Sequence, residues 1–202
     1  MTSRFGPVAT ATLLGYLCGT LPSADFATRL AKTGISDLRA AGSRNPGATN
    51  AGAVLGTRWG LAVLAADMGK GAAAGILGRV MAGPAGASAA ATASIAGHIA
   101  PLWNGGRGGK GVATSAGACL TVFPVFFPID AAIAVVGATH LRDAEKATRL
   151  SCAVWVTTSL MWWRRSLPNA WGPPVGAGTF VFALAGSSMI LTKFRISRKP
   201  TE

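Results

Sequence analysis

Acidic residues, histidine and tyrosine are scarce in this 202-residue chain, which holds seven Asp and Glu together, two His and one Tyr. With histidine only at His98 and His140, no HExxH pair or Cys/His ligand set can be assembled, and no GxSxG elbow occurs. Zinc-hydrolase and serine-hydrolase chemistry are thereby excluded, and no metal or cofactor site is expected. The three cysteines, Cys18, Cys119 and Cys152, lie in apolar runs without CxxC spacing. They read as packing residues, neither a disulfide framework nor a metal site. Charge is also missing over long distances. Residues 80–103 carry no Asp, Glu, Lys or Arg, residues 111–139 carry only Asp130, and residues 171–192 carry none. Such runs approach or exceed the roughly 20 residues that cross a bilayer core, which points to an integral membrane protein.

What is abundant supports that reading. Half of the residues are hydrophobic, 27 are glycine, and the formal net charge is +12. A nucleic-acid binder would gather its basic residues on one accessible face with polar or aromatic readers among them, whereas here they bracket apolar runs. Nucleic acid is therefore not an expected partner, and the lipid bilayer is. Hydropathy and breakers divide the chain into about seven membrane segments, 7–28, 59–79, 83–103, 111–124, 127–140, 147–163 and 174–193. The first run is closed by Asp25 and Arg29, lacks a small-residue cleavage site, and reads as a retained helix. With the N-terminus outside, fourteen cations fall on the inner side and Arg4, Arg79, Arg164 and Arg165 on the outer, so the loops near 44 and 107 are expected to face the cytoplasm. Small residues in segments two to four allow close helix approach. The expected fold is an all-α polytopic bundle, one membrane domain over residues 1–202, with no internal repeat.

The chemistry-bearing residues cluster in glycine-rich segments. Trp103-Asn-Gly-Gly-Arg-Gly-Gly-Lys-Gly-Val-Ala-Thr114 sets five glycines around Arg107 and Lys110, just before an apolar run. Glycines permit close backbone approach, and a following helix N-terminus adds partial positive charge, a combination suited to phosphate. The nucleotide P-loop is excluded, because Asn104 and Gly111 stand where it needs Gly and Ser or Thr. Gly42-Ser-Arg-Asn-Pro-Gly-Ala-Thr-Asn50 has the same character, with Ser43, Arg44, Asn45, Thr49 and Asn50 as polar groups. Asp67 and Lys70, three apart inside segment two, share a helix face and can pair. An ion pair there is either buried structure or the lining of a site. His98 lies at the end of segment three, either as a hydrogen-bonded core residue or, beside Lys110, as a hydrogen-bond donor to phosphate or a proton acceptor. His140 reads as a solvated loop residue.

In this order the segments resemble the bacterial acyl-phosphate:glycerol-3-phosphate acyltransferases. Gly42–Asn50 is similar to the family's GSxNxGATN loop, Asp67-Met-Gly-Lys-Gly71 to its DxxKG motif, and Gly97-His-Ile-Ala-Pro101 with Gly108-Gly-Lys-Gly-Val-Ala-Thr114 to GHxxP and GGKGVAT. Gly15-Tyr-Leu-Cys-Gly-Thr-Leu-Pro22, Gly34-Ile-Ser-Asp-Leu-Arg39 and Arg149-Leu-Ser151 resemble weaker motifs. The chain departs from the pattern at Ala53, where the family usually has arginine, and in 191–202, which lacks the His-x-x-Asn-Ile stretch. The resemblance implies transfer of a fatty acyl group from acyl phosphate to the 1-hydroxyl of glycerol 3-phosphate in the cytoplasmic membrane of a bacterium, giving lysophosphatidic acid and phosphate for phospholipid synthesis. It also implies no cofactor, and an acyl-phosphate-producing enzyme upstream. Carried onto this chain, it assigns Lys110, His98 and Ser43 to catalysis, and Arg44, Asn45, Gly47, Thr49, Asn50, Asp67, Lys70, Gly108, Gly109, Gly111 and Thr114 to substrate binding. Two alternatives remain open at this level: a catalytically weak homologue that binds phosphorylated lipid, and a small organic-phosphate transporter.

Overall fold

A computed structural model describes residues 5–141 and 143–197. Arg4, Arg142, Arg198 and Lys199 of the charge tally lie outside the described residues. Every regular element among them is helical. The first apolar run is not one helix. α1 covers Phe5–Gly19, and α2, Ser23–Ala31, follows after a break at 20–22. Pro22 has no N–H to continue the ladder and restricts Leu21, so the expected 7–28 segment divides there. α2 is amphipathic, burying Ala24, Ala27 and Thr28 while Phe26 and Leu30 face outward.

The glycine-rich 42–50 segment also resolves differently from a plain loop. Its last three residues open α3, Ala48–Leu55, whose first turn is closed by the Ala51 N–H on the Gly47 carbonyl at 2.9 Å. Next comes α4, Thr57–Ile99, broken at Ala82 and Gly83. Gly83 has φ 62° and ψ −151°, a conformation essentially reserved for glycine, and Pro84 follows it. The two arms fold back on each other so closely that a side chain on Gly78 would overlap the Gly86 carbonyl. They correspond to the expected segments 59–79 and 83–103, except that the second arm ends at Ile99, ahead of Pro101 and a 3-10 turn at Leu102–Asn104.

α5, Val112–Val122, and α6, Phe127–Val136, are short, and α6 ends in one π turn at Gly137–Leu141. α7, Ala144–Arg164, begins ahead of the expected residue 147 because Asp143 caps it, accepting N–H bonds from Glu145 and Lys146 at 3.0 Å. Those bonds, the Lys146 N–H first, hold the Asp143 carboxyl below the usual range. α8 covers Ala177–Ser197.

Packing relies on backbone contact. Gly15 and Gly19 of α1 meet Ala90 and Ser94 of the second α4 arm, and Gly71 of the first arm meets the Thr114 carbonyl of α5. A second core forms where Trp155 stacks on Phe126 at 5.9 Å and meets Phe182 edge-to-face at 4.8 Å. Outward-facing Leu13, Leu61, Ile76, Val80 and Val181 leave an apolar exterior. Two stretches, Thr57–Asn104 and Ala177–Ser197, are long and apolar enough to cross a bilayer by length and composition.

Candidate active site

The polar centre starts from two residues on one face of the first α4 arm. Asp67 and Lys70 are both buried, with Lys70 Nζ 2.9 Å from Asp67 Oδ1. The ammonium also donates to the Leu21 carbonyl at 3.1 Å, a carbonyl released by the break before Pro22. Across the hairpin, the second arm brings His98 to the same point. Its Nδ1 lies 3.6 Å from Asp67 Oδ1, beyond hydrogen-bonding distance, and Nδ1 and Asp67 Oδ2 are both buried without a partner. Buried polar atoms normally find partners, and both of these belong to residues that line one pocket.

The glycine-rich strip forms the roof. Gly109 lies against the His98 ring, where a side chain would meet Nε2. Its N–H donates to the His98 carbonyl at 3.1 Å, and the Gly108 N–H donates to the Ile99 carbonyl at 3.2 Å. These two glycines therefore supply close approach and are not free to offer their N–H groups to an anion. The orphan donors belong to the first turn of α5, which Gly111 opens with φ 87°. The resulting pocket is lined by Leu21, Arg39, Asp67, Lys70, His98, Asn104, Gly108 and Gly109 and holds about 20 Å³, the size of one water.

Two residues outside the sequence assignment brace this roof. Arg39 donates to Asp25 at 2.6 Å, to Asp37 at 3.0 Å and to the Arg107 carbonyl at 2.7 Å, while Asn104 reaches Asp25 at 3.2 Å. Burial alone would lower the Arg39 value, but its bonds to Asp25 and then Asp37 hold it above the usual range. Burial likewise opposes the Asp37 carboxylate, yet the Arg39 backbone N–H and guanidinium keep its carboxyl below the usual range. Asp25 and Arg39 are fourteen residues apart with no shared periodicity, so only an acid at a helix start facing a later arginine could have signalled the contact.

The other assigned residues take varied places. Lys110 carries its ammonium over the Phe194 ring, 4.0 Å from the centroid, and Gly109, one residue earlier, is the strip residue against the His98 ring. Thr114 is buried with its hydroxyl unpartnered. Asn50 is committed to the loop itself, accepting the Ser43 N–H at 2.8 Å and donating to the Leu38 and Ala41 carbonyls at 3.0 Å. Ser43 and Arg44 are exposed, Arg44 with φ 57°, and Asn45 is half-buried beside Gly47. These four residues do not line the polar pocket, to which their loop contributes Pro46. Thr49 instead faces a larger cavity of about 550 Å³ walled by Val112, Cys119, Phe126, Trp155 and Ile190, where Asp130 accepts from the Ser151 hydroxyl. A third, apolar groove of about 290 Å³ runs past Phe26, Leu30, Trp59 and Val63 and shares Leu21 and Ser23 with the polar pocket.

Comparison with known proteins places these features in context. The family model described as glycerol-3-phosphate acyltransferase matches residues 9–199. A glycerol-3-phosphate acyltransferase of Nitrobacter winogradskyi is 47% identical over 112 residues, covering 54% of this chain and 55% of that protein. The chain thus spans about half the length of such curated relatives. One from Cereibacter sphaeroides is 38% identical over 152 residues, covering 74% of this chain and 69% of its own length. The crystal structure of PlsY, an integral membrane glycerol 3-phosphate acyltransferase in its glycerol 3-phosphate form, superposes with a TM-score of 0.74 at 26% identity, covering 94% of this chain and 88% of that one.

Proposed function

Because the chain belongs to the glycerol-3-phosphate acyltransferase family, we propose that it transfers a fatty acyl group from acyl phosphate to the 1-hydroxyl of glycerol 3-phosphate, yielding lysophosphatidic acid and phosphate. The observation that carries the reading is the pocket in which buried Asp67, Lys70 and His98 meet Gly108 and Gly109 at one end of the α4 hairpin. Acyl phosphate is a mixed anhydride with a good leaving group, so the protein chiefly has to orient the acceptor hydroxyl and stabilise negative charge. Lys70, Lys110 and the first turn of α5 supply positive potential. The His98 imidazole, its Nδ1 unpartnered and the Asp67 carboxylate 3.6 Å away, is the group placed to take the hydroxyl proton. The apolar groove adjoining Leu21 gives the fatty chain a route from the bilayer to the pocket.

Seven spans account for the arrangement: α1, the two α4 arms, α5, α6, α7 and α8, with α2 and α3 at the surface. The 42–50 and 103–114 segments then share the cytoplasmic face of a bacterial inner membrane, where an enzyme that makes acyl phosphate delivers the donor. Contacts of Arg79 with Trp171 and of Trp171 with Leu120 support gathering the other helix ends on the opposite face. The reading is tested by giving the reconstituted protein labelled glycerol 3-phosphate with palmitoyl phosphate or palmitoyl-CoA and identifying the lipid formed. Lysophosphatidic acid from the phosphate donor alone is expected. Product from the thioester alone contradicts the donor assignment.

A further inference from the structure

The last turns of α8 touch the glycine strip through two consecutive residues. Phe194 places its ring under the Lys110 ammonium. Lys193, half-buried, places Nζ 3.5 Å from the Ile99 carbonyl, the same carbonyl that accepts the Gly108 N–H. Two adjacent side chains of one helix therefore reach Lys110 and the carbonyl that holds Gly108.

The cations around His98 differ in what neutralises them. Arg39 has Asp25 and Asp37, and Lys70 has Asp67. Among the described residues, no carboxylate lies within ion-pair distance of Lys193. Its hydrogen bond is long and runs to a neutral carbonyl, which replaces the hydration of a half-buried ammonium poorly. Its charge is within electrostatic reach of both His98 and Arg39. Arg39 is locked by its fork of hydrogen bonds, whereas a lysine ammonium on a four-carbon stem can move to a new partner.

Resting on the acyltransferase reading, we infer that Lys193 is a mobile phosphate anchor: on substrate binding its ammonium leaves the Ile99 carbonyl and pairs with a phosphate lying against Gly108 and Gly109, so that α8 completes the site. The shared chemistry is a phosphate anion, carried by both substrates. Pairing adds a charge-assisted bond to a site where Arg39 and Lys70 are already partly spent on carboxylates.

The test uses the full chain in lipid nanodiscs as wild type, Lys193→Met and Lys193→Arg. Acyl phosphate and glycerol 3-phosphate are varied separately, and the unfolding midpoint is read with and without glycerol 3-phosphate or inorganic phosphate. Lys193→Met is expected to raise one KM by about tenfold or more, with kcat within about threefold, and to shrink the phosphate-induced rise in midpoint. Lys193→Arg is expected to restore both. The KM that moves identifies which phosphate is held. Unmoved KM values with undiminished phosphate stabilisation overturn the inference while leaving the acyltransferase reading intact. A lower ligand-free midpoint in both variants with unmoved KM values makes Lys193 a cap of α4, which also overturns it. A wild type without turnover, whose phosphate stabilisation disappears in Lys193→Met, supports the anchor while removing the transfer reading. A wild type with neither turnover nor phosphate stabilisation overturns both.

Discussion

Asp67 and His98 face each other at 3.6 Å across the two arms of a single broken helix, with Lys70 holding the carboxylate from its own arm at 2.9 Å. Removing one member leaves a buried charge uncompensated. Asp67→Ala is expected to destabilise by about 3–5 kcal/mol, and Asp67→Asn with Lys70→Met together by much less, because both charges then go. Thermal unfolding in detergent checks the ranking. Equal loss in the single and double variants would show that the pair is not an electrostatic unit.

His98→Gln keeps a polar group of similar reach without the imidazole base. Turnover is expected to fall by about 10²–10⁴-fold with the folded fraction retained. A variant within about threefold of wild type would remove His98 from proton transfer and leave that task to a substrate phosphate.

Two glycines of one short motif should behave oppositely. A side chain at Gly71 would overlap the Thr114 carbonyl, whereas nothing lies within 4 Å of one at Gly69. Gly71→Ala is expected to cost about 1–3 kcal/mol, and Gly69→Ala to be neutral or stabilising by about 0.5–1 kcal/mol. Paired midpoints from the two variants decide it, and a similar loss in both would contradict the α4–α5 packing.

This contrast also shows what the sequence discloses and what it hides. Asp67, Lys70 and His98 are legible because ionisable groups in apolar runs are costly, and the strip around Lys110 because glycines crowd a charge before a helix. The break before Pro22 is hidden from hydropathy, which continues through it, and α3 is hidden because its small residues show no periodic apolar face. Asn50 looks like a substrate contact in the sequence, and only tertiary structure shows its amide bound to Leu38, Ala41 and Ser43. Arg39 and Lys193 act through partners fourteen and ninety-four residues away, beyond any local pattern.

Asn50→Ala is accordingly expected to lose about 1–3 kcal/mol of stability together with activity, while Ser43→Ala keeps the wild-type midpoint. Comparing midpoint and turnover for the pair separates loop-holding from substrate contact. An Asn50→Ala protein with unchanged midpoint would contradict the positioning role.

The Arg39 clamp carries a pH dependence of definite sign. Asp37 is lowered in the fold, so its contribution is fully present above the ordinary carboxylate value of about 4 and is lost as pH falls through the lowered folded value. Arg39→Lys cannot reproduce the fork to Asp25 and Asp37, and should weaken this acid dependence and raise the KM for a phosphate substrate. Unfolding followed from pH 7 to about 3 in both proteins checks it. Superimposable curves would show that the clamp adds no stability.

The most direct measurement is phosphate release from acyl phosphate by the reconstituted protein, with and without glycerol 3-phosphate, alongside lysophosphatidic acid formed. Acceptor-dependent release, one phosphate for each lipid product, is the predicted result. Uptake of glycerol 3-phosphate into vesicles with no lipid product, or phosphate release indifferent to the acceptor, would contradict the account.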